Sequence, residues 1–314
     1  MNKLARICYG TWGFDGASYG KIKFQECLEL AQYAAECGVK LFDTSDFYGY
    51  GKSELVLGEA LELLSGDLSP RIATKAGLLP HSSFDMLNNF SRPYLEHSLT
   101  KSISRLRRKE IDLWQLHSPA LSDLSEICKN FKWFDSLKSS GLIKKIGVST
   151  RSPSDAIIFL REYQFDAVQV NFNLLDQRLL DVSLETEAIS KGIELIVRTP
   201  LAFGFLTGNI TPDTKFELSD HRNKWSREQK EKWYCGVSEF EDIRKELKMS
   251  KVEFALAYAR SIPGVSYVNV GMMNLNDIKQ NLSIFKSATL SYETLKAIRG
   301  VYLNSVFSRD PIKR

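Results

Sequence analysis

The chain has 314 residues, of which 43% are hydrophobic and 25% charged, and its formal net charge is +4. That usage is ordinary for a globular protein, and the length suits one α/β barrel spanning 1–314 with a sizeable core. The small net charge comes with no basic run of the kind that marks a nucleic-acid arm. The densest cluster, RLRRK at 105–109, reads as the positively charged end of a helix.

The N-terminal MNKLARICYGTW has no apolar core or cleavage-like site, so no signal peptide is expected. No window approaches about 18 uninterrupted apolar residues, so neither a membrane span nor a membrane partner is expected. The five cysteines are scattered and lack CxxC spacing, which reads as small buried hydrophobes in a reducing, cytoplasmic setting. The four histidines are equally dispersed, so no metal site is expected.

In chain order, short β-like runs fall at 5–10, 39–44, 71–76, 111–117, 143–149, 165–171, 193–199 and 266–271. Several are apolar throughout their centres, as strands buried on both faces require. Between them lie segments of helical spacing, around 24–37, 53–64, 92–107, 123–139, 153–163, 181–191, 251–261 and 291–305. Ser53 and Ser152 stand where N-caps are expected, and Pro153 where a first helical turn tolerates it. Strand and helix alternating eight times predict a (β/α)8 TIM barrel. An open doubly wound sheet is the weaker alternative, because no GxGxxG follows the first strand. The longest departure from the rhythm, 205–245, reads as a long loop before the eighth strand.

In such a barrel the active site lies at the C-terminal ends of the strands. There the sequence offers Asp43 at the end of strand 2, Tyr48 in the following loop, Lys75 at the end of strand 3 and His117 at the end of strand 4. These types belong together chemically. A phenol is a weak acid, and a lysine charge beside it favours the phenolate. A carboxylate holds that lysine charged, and a neutral histidine donates a hydrogen bond to a polarised oxygen. The set would be a proton donor aimed at a developing alkoxide.

At these residues the chain resembles the aldo-keto reductase family. LFDTSDFYGYGKSELVLGEAL at 41–61 resembles the Asp-and-Tyr signature, IATKAG the lysine motif and IDLWQLHSPAL the histidine motif. GLIKKIGVSTRSP, FDAVQVNFNLLDQR and IVRTPLAFGFLTG are similar to the strand-5, strand-6 and strand-7 segments. The resemblance implies that NAD(P)H supplies hydride while Tyr48 is the general acid, Lys75 and Asp43 tune it, and His117 orients the carbonyl. It also implies nicotinamide contacts from Ser149, Thr150 and Gln169, with Arg198 stacked on the ring. Leu201, Phe203 and Gly204 would line the pyrophosphate, and Gln280 and Asn281 the adenine. Gly10, Thr11, Trp12, Asp43 and Gly271 complete the expected cofactor set.

Two positions depart from the family's usual residues: Thr150 replaces a frequent Asn, and Arg198 a frequent aromatic. After strand 8, Met273 and Asp277 stand where NADPH-selective relatives carry basic side chains, with Lys279 close by. A carboxylate repels a 2′-phosphate but accepts from a ribose hydroxyl, so acceptance of NADH is expected. Trp12, Phe14, Phe47, Tyr50 and Trp225 are expected to wall a pocket for a small carbonyl or alcohol, such as an aldehyde or keto-sugar. No nucleic-acid partner is expected, and oligomerisation is left open. Two other functions compete: a non-enzymatic nicotinamide-binding regulatory subunit of the same fold, and a lyase or isomerase using Lys75 as a Schiff-base amine.

Overall fold

A computed structural model describes residues 6–62, 64, 69–79, 87–287 and 289–309. The eight strands are β1 (Ile7–Gly10), β2 (Leu41–Asp43), β3 (Arg71–Ala76), β4 (Leu113–His117), β5 (Ile146–Ser149), β6 (Ala167–Asn171), β7 (Glu194–Arg198) and β8 (Val265–Gly271). They are parallel and in sequential order, and β8 closes on β1. The chain folds as the (β/α)8 barrel that its alternating pattern predicts.

Fourteen α-helices are described: α1 (Phe24–Glu36), α2 (Lys52–Leu61), α3 (Arg92–Leu106), α4 (Leu124–Cys128), α5 (Phe131–Ser139), α6 (Pro153–Glu162), α7 (Arg178–Asp181), α8 (Leu184–Lys191), α9 (Arg227–Ser238), α10 (Glu241–Glu246), α11 (Lys251–Ser261), α12 (Leu275–Lys286), α13 (Tyr292–Asn304) and α14 (Val306–Arg309). None of the described helices is long and apolar enough to cross a membrane.

Side chains alternate across each strand, and this period of two sorts the barrel into layers. Inside, Cys8, Leu41, Ala73, Leu113, Ala167 and Ile196 form a small apolar cluster with Tyr267. Outward, Tyr9, Phe42, Ile72, Trp114, Val168 and Val197 join the main core beneath the helices. Two residues after each of these inner apolar positions the inner side chain turns polar, except on β1, where Gly10 follows Cys8: Asp43, Lys75, Gln115, Gln169 and Arg198, with Asn269 following Tyr267 on β8. The floor of the barrel is closed by a forked ion pair, Arg71 to Glu194 at 3.1 Å, with Arg71 also donating to the Tyr267 hydroxyl at 2.9 Å.

Several local readings are revised. Ser53 does not cap α2. The helix starts at Lys52 after Gly51 in a left-handed conformation (φ 87°), and Ser53 lies buried in the first turn with its hydroxyl unpartnered. Consecutive tight turns through 45–51 deliver the chain to the helix one residue early. Ser152 does cap α6, accepting from the Asp155 N–H at 3.4 Å. The segment 205–245 is not one long loop, because α9 and α10 fill its second half. Its charged composition had masked a stripe that buries Trp233, Gly236 and Val237. A further helix, α12, lies in what reads as a loop after strand 8. Asn274 caps it, accepting the Asp277 N–H at 2.9 Å.

The cluster at 105–109 packs against α2. Arg105 pairs with Glu54 at 2.6 Å and Arg107 with Glu59 at 3.2 Å. Gly58 permits this approach: a Cβ there would stand 2.1 Å from the Arg105 carbonyl oxygen. Backbone cannot yield as a flexible side chain does, so overpacking at this site costs about 1–3 kcal/mol. Gly58→Ala is therefore expected to lower the unfolding free energy by about that amount, read by urea denaturation. An unchanged midpoint and slope would show that α2 and α3 can separate freely.

Candidate active site

Asp43 lies on the inner face at the top of β2, 2% exposed. Its Oδ2 accepts from the Lys75 ammonium at 2.6 Å and from the Asn269 amide at 2.8 Å. Its Oδ1 accepts from the amides of Gln169 at 3.0 Å and Gln115 at 3.2 Å. Donors from β3, β4, β6 and β8 thus converge on one carboxylate. Lys75, 1% exposed, also donates to the Thr44 carbonyl at 2.8 Å and lies 3.4 Å from the Tyr48 hydroxyl. Burial alone would lower the Lys75 pKa, but the Asp43 carboxylate and the Tyr48 phenol outweigh it and the pKa is raised. The lysine is therefore a fixed cation beside the phenol.

The loop after β2 carries Tyr48 to the rim. Gly49 and Gly51 both have positive φ (58° and 87°), which glycine adopts without the Cβ clash. His117 ends β4, with its ring edge-on to Tyr48 at a centroid distance of 5.8 Å. Burial, followed by the charges of Lys75, Arg198 and Arg151, holds its pKa well below the ordinary histidine value. The ring is neutral, and its Nδ1 lies 2.9 Å from the Ser45 hydroxyl.

A cavity of about 310 Å³ begins at Asp43, Tyr48 and Gln169. It extends to Asp277, Gln280 and Asn281 on the first turns of α12. Gly10, Thr11 and Trp12 line it, as do Arg198, Leu201, Phe203, Gly204, Gly271 and Met273. The cavity thus gathers the residues expected to hold a dinucleotide, apart from Ser149 and Thr150, which do not line it. Ser149 turns its hydroxyl to the Gln169 Oε1 at 3.3 Å. Thr150 donates to the Ser152 carbonyl at 2.9 Å.

Two features of the cavity suit a ligand. A Cβ on Gly271 would meet only the Gly10 carbonyl oxygen, 3.9 Å away, so the missing side chain leaves open room. Arg198 donates to the Thr150 carbonyl at 3.1 Å, yet its buried Nε has no hydrogen-bond partner. At the far end, the Asp277 carboxylate accepts the Met273 N–H at 3.1 Å.

The expected substrate wall is only partly assembled. Trp12 lies stacked beside Tyr48 with ring centroids 6.2 Å apart, and Phe47 stands edge-on to His117 at 6.0 Å. Phe14 does not line the cavity. It is 1% exposed and packs in the core against Tyr9, because the chain enters a short 3-10 turn at Trp12 and rotates the ring inward. Tyr50 is 82% exposed, turned outward by its positive φ of 56°. Trp225 packs instead against Phe203 and Trp233, at 5.2 and 4.6 Å.

Sequence reasoning missed Gln115, Asn269 and Ser45, although period-two alternation from Leu113 and Tyr267 points to the first two. It also missed a bridge between two loops that both line the cavity. His221 packs at a tilt against Trp12, with ring centroids 4.6 Å apart, and its Nδ1 lies 2.7 Å from the Ser18 carbonyl. Among the described residues no group of three histidine, cysteine, aspartate or glutamate side chains could hold a metal ion.

The model of the Aldo/keto reductase family matches residues 6–303. The chain belongs to this family. Its members are oxidoreductases that act on carbonyl groups with a nicotinamide cofactor. An aldo-keto reductase of Bacillus subtilis is 26% identical over 318 residues, covering 99% of this chain and 93% of the relative. An NADH-specific methylglyoxal reductase of Escherichia coli is 28% identical over 222 residues, covering 67% and 68% of the two chains. The solved glycerol dehydrogenase of Gluconobacter oxydans superposes with a TM-score of 0.77 at 24% identity, over 100% of this chain and 98% of that one. At that identity the superposition speaks for the shared fold alone.

Removing one partner of a buried ion pair leaves the other charge uncompensated, at about 3–5 kcal/mol. Asp43→Ala strands Lys75 in this way, and the unfolding free energy should fall by about that much. Denaturant titration of the variant measures it, and a loss within error of zero would mean that the pair contributes nothing net.

Proposed function

We propose that the chain reduces a small aldehyde or ketone to the alcohol, or runs the reverse oxidation, with Tyr48 as the general acid. The observation that supports this most is the Lys75 ammonium, 2.6 Å from Asp43 and 3.4 Å from the Tyr48 hydroxyl, at the head of the cavity. A nicotinamide held in the cavity would supply the hydride. Tyr48 gives its hydroxyl proton to the oxygen of the carbonyl as negative charge develops there. Lys75 lies beside the oxygen that loses the proton and stabilises the resulting phenolate. Asp43, with its four donors, keeps Lys75 from moving or discharging. His117 is neutral and so donates a hydrogen bond to the same carbonyl oxygen without competing as an acid. Trp12 and Phe47 shield the reacting centre with apolar surface, which suits a small, weakly polar substrate.

Residues lining the cavity would hold the cofactor. Leu201, Phe203 and Gly204 would flank the pyrophosphate, Gln169 and Arg198 the nicotinamide, and Gln280 and Asn281 the adenine. Ser149 and Thr150 would act behind Gln169 and Arg198, through the hydrogen bonds they make to them. NADH is accepted on this reading. Asp277 lines the cavity with a carboxylate, which repels a 2′-phosphate and accepts from a ribose hydroxyl. Lys279 does not offset it, since its ammonium lies over the Tyr33 ring, 6.0 Å from the centroid. The name of the NADH-specific relative points the same way.

Incubation with NADH or NADPH and a panel of aldehydes and keto-sugars, followed at the reduced-nicotinamide absorbance, tests the reading. Tyr48→Phe should lower kcat by at least about 10²-fold, the usual size of general-acid catalysis, with cofactor binding retained. A wild-type kcat in that variant would refute the assignment. Cofactor binding without turnover across the panel would favour a regulatory subunit instead. In the same assay NADH should support turnover, and an advantage of about 100-fold in kcat/KM for NADPH would overturn the role given to Asp277.

A further inference from the structure

The proposed mechanism leaves one question about His117. A neutral imidazole donates from only one nitrogen, and which one is set by the hydrogen bond the other makes. Nε2 has no partner among the described residues, and the ring lies edge-on to Tyr48. Nδ1 faces the Ser45 hydroxyl at 2.9 Å. Only if Nδ1 is the acceptor does Nε2 carry the hydrogen that the carbonyl oxygen needs.

The surroundings of the Ser45 Oγ decide this. The hydroxyl is buried, and the Phe47 N–H donates to it at 3.1 Å. Three acceptors compete for its single proton: His117 Nδ1 at 2.9 Å, the Lys75 carbonyl at 3.3 Å and Asp46 Oδ1 at 3.3 Å. The Lys75 carbonyl already takes the Asp46 N–H at 3.2 Å. The contest is therefore between a ring nitrogen and a carboxyl group that reach the same hydroxyl.

We propose that Ser45 is a positioning residue, whose one hydroxyl proton, shared between His117 and Asp46, sets which nitrogen of His117 carries hydrogen. When Asp46 is neutral, Ser45 donates to Nδ1 and the ring presents Nε2–H to the substrate. When Asp46 is ionised, the carboxylate draws the Ser45 proton. His117 then donates from Nδ1 to Ser45, and Nε2 becomes an acceptor that repels a carbonyl oxygen. No atom is gained or lost by the ring in this exchange; the proton moves between its two nitrogens through solvent. Asp46 sits where both states are accessible. Burial pushes its pKa up to about 7, against the hydrogen bond from Ser98 on α3. Glu54 on α2 raises it further, while Arg105 on α3 and Ser45 lower it. Tyr94 on α3 also faces it, and the Asp46 charge helps push that phenol up to about 12.

This inference rests on the proposed role of His117 in carbonyl reduction, and the test separates the two. Protein labelled with nitrogen-15 at histidine reports each ring tautomer by its nitrogen shifts, and the His117 signals are assigned by their loss in His117→Gln. In the wild type, Nε2–H should dominate below the Asp46 transition at about 7, and Nδ1–H should gain above it. Asp46→Asn should hold one tautomer ratio across that range, and Ser45→Ala should abolish the pH dependence. Ser45→Ala should also lower kcat for reduction by about 10-fold with little change in cofactor Kd, and Ser45→Thr, which keeps the hydroxyl, should restore it. A wild-type tautomer that ignores pH, or a pH dependence that survives Ser45→Ala, overturns the inference even in an active reductase. A tautomer that moves as described in a protein that turns over no carbonyl upholds it and instead sinks the reductase reading.

Discussion

Everything at the rim of this barrel depends on one buried carboxylate. An ionised Asp43 at 2% exposure is affordable only with its lone pairs filled, and four donors fill them. Each donor comes from a different strand, so the hydrogen bonds also fix where β3, β4, β6 and β8 stand relative to β2. Asn269 on β8 is 226 residues from its partner. The barrel must close before Asp43 is satisfied, and satisfying Asp43 helps to specify the closure.

That coupling explains why the site is rigid where it needs to be and open where it does not. Lys75 has a carboxylate, a carbonyl and a phenol around its three donor positions, which leaves it no freedom to rotate away from Tyr48. Tyr48 itself rides on a loop with glycines at 49 and 51, above a strand that ends at Asp43. The scaffold supplies the cation, and the loop supplies the proposed acid. A rigid cation beside a presented phenol is the arrangement that favours loss of the phenolic proton on demand.

The fold was legible because strands and helices leave different periods in the sequence. All eight strands were found within a few residues, since a strand buried on both faces reads as an unbroken apolar run. That Asp43, Tyr48, Lys75 and His117 gather at one rim was legible because they sit at strand ends or in the loop that follows. What escaped notice lay where local signals conflict. The segment 205–245 is rich in charge, which hid the helical stripe of α9. Ser53 looked like a cap, but the conformation of the preceding loop decides where a helix starts, and no single residue type reveals that. Phe14, Tyr50 and Trp225 are aromatics in segments that lead to the rim. Their directions follow from backbone dihedrals and from packing partners distant in sequence, which composition cannot supply. Gln115 and Asn269 were missed for a different reason. Each is an ordinary polar residue in an apolar strand until the inner face is counted, two residues beyond Leu113 and Tyr267.

The two ends of the barrel hold similar ion pairs and put them to different use. At the floor, Arg71 and Glu194 form a forked pair whose side chains are 31% and 19% exposed. Both are satisfied by each other and by neighbours, the Tyr267 phenol among them, and none of the three lines the cavity at the rim. At the rim, Lys75 and Asp43 are 1% and 2% exposed, and the lysine has a phenol as its third neighbour. Water screens the floor pair and leaves it a modest clamp. Exclusion of water from the rim pair makes its field strong, and the phenol beside it, Tyr48, lines the cavity. The difference between a structural ion pair and a proposed catalytic one is therefore not in the charges. It lies in the burial that strengthens them and in whether the phenol beside them faces the cavity.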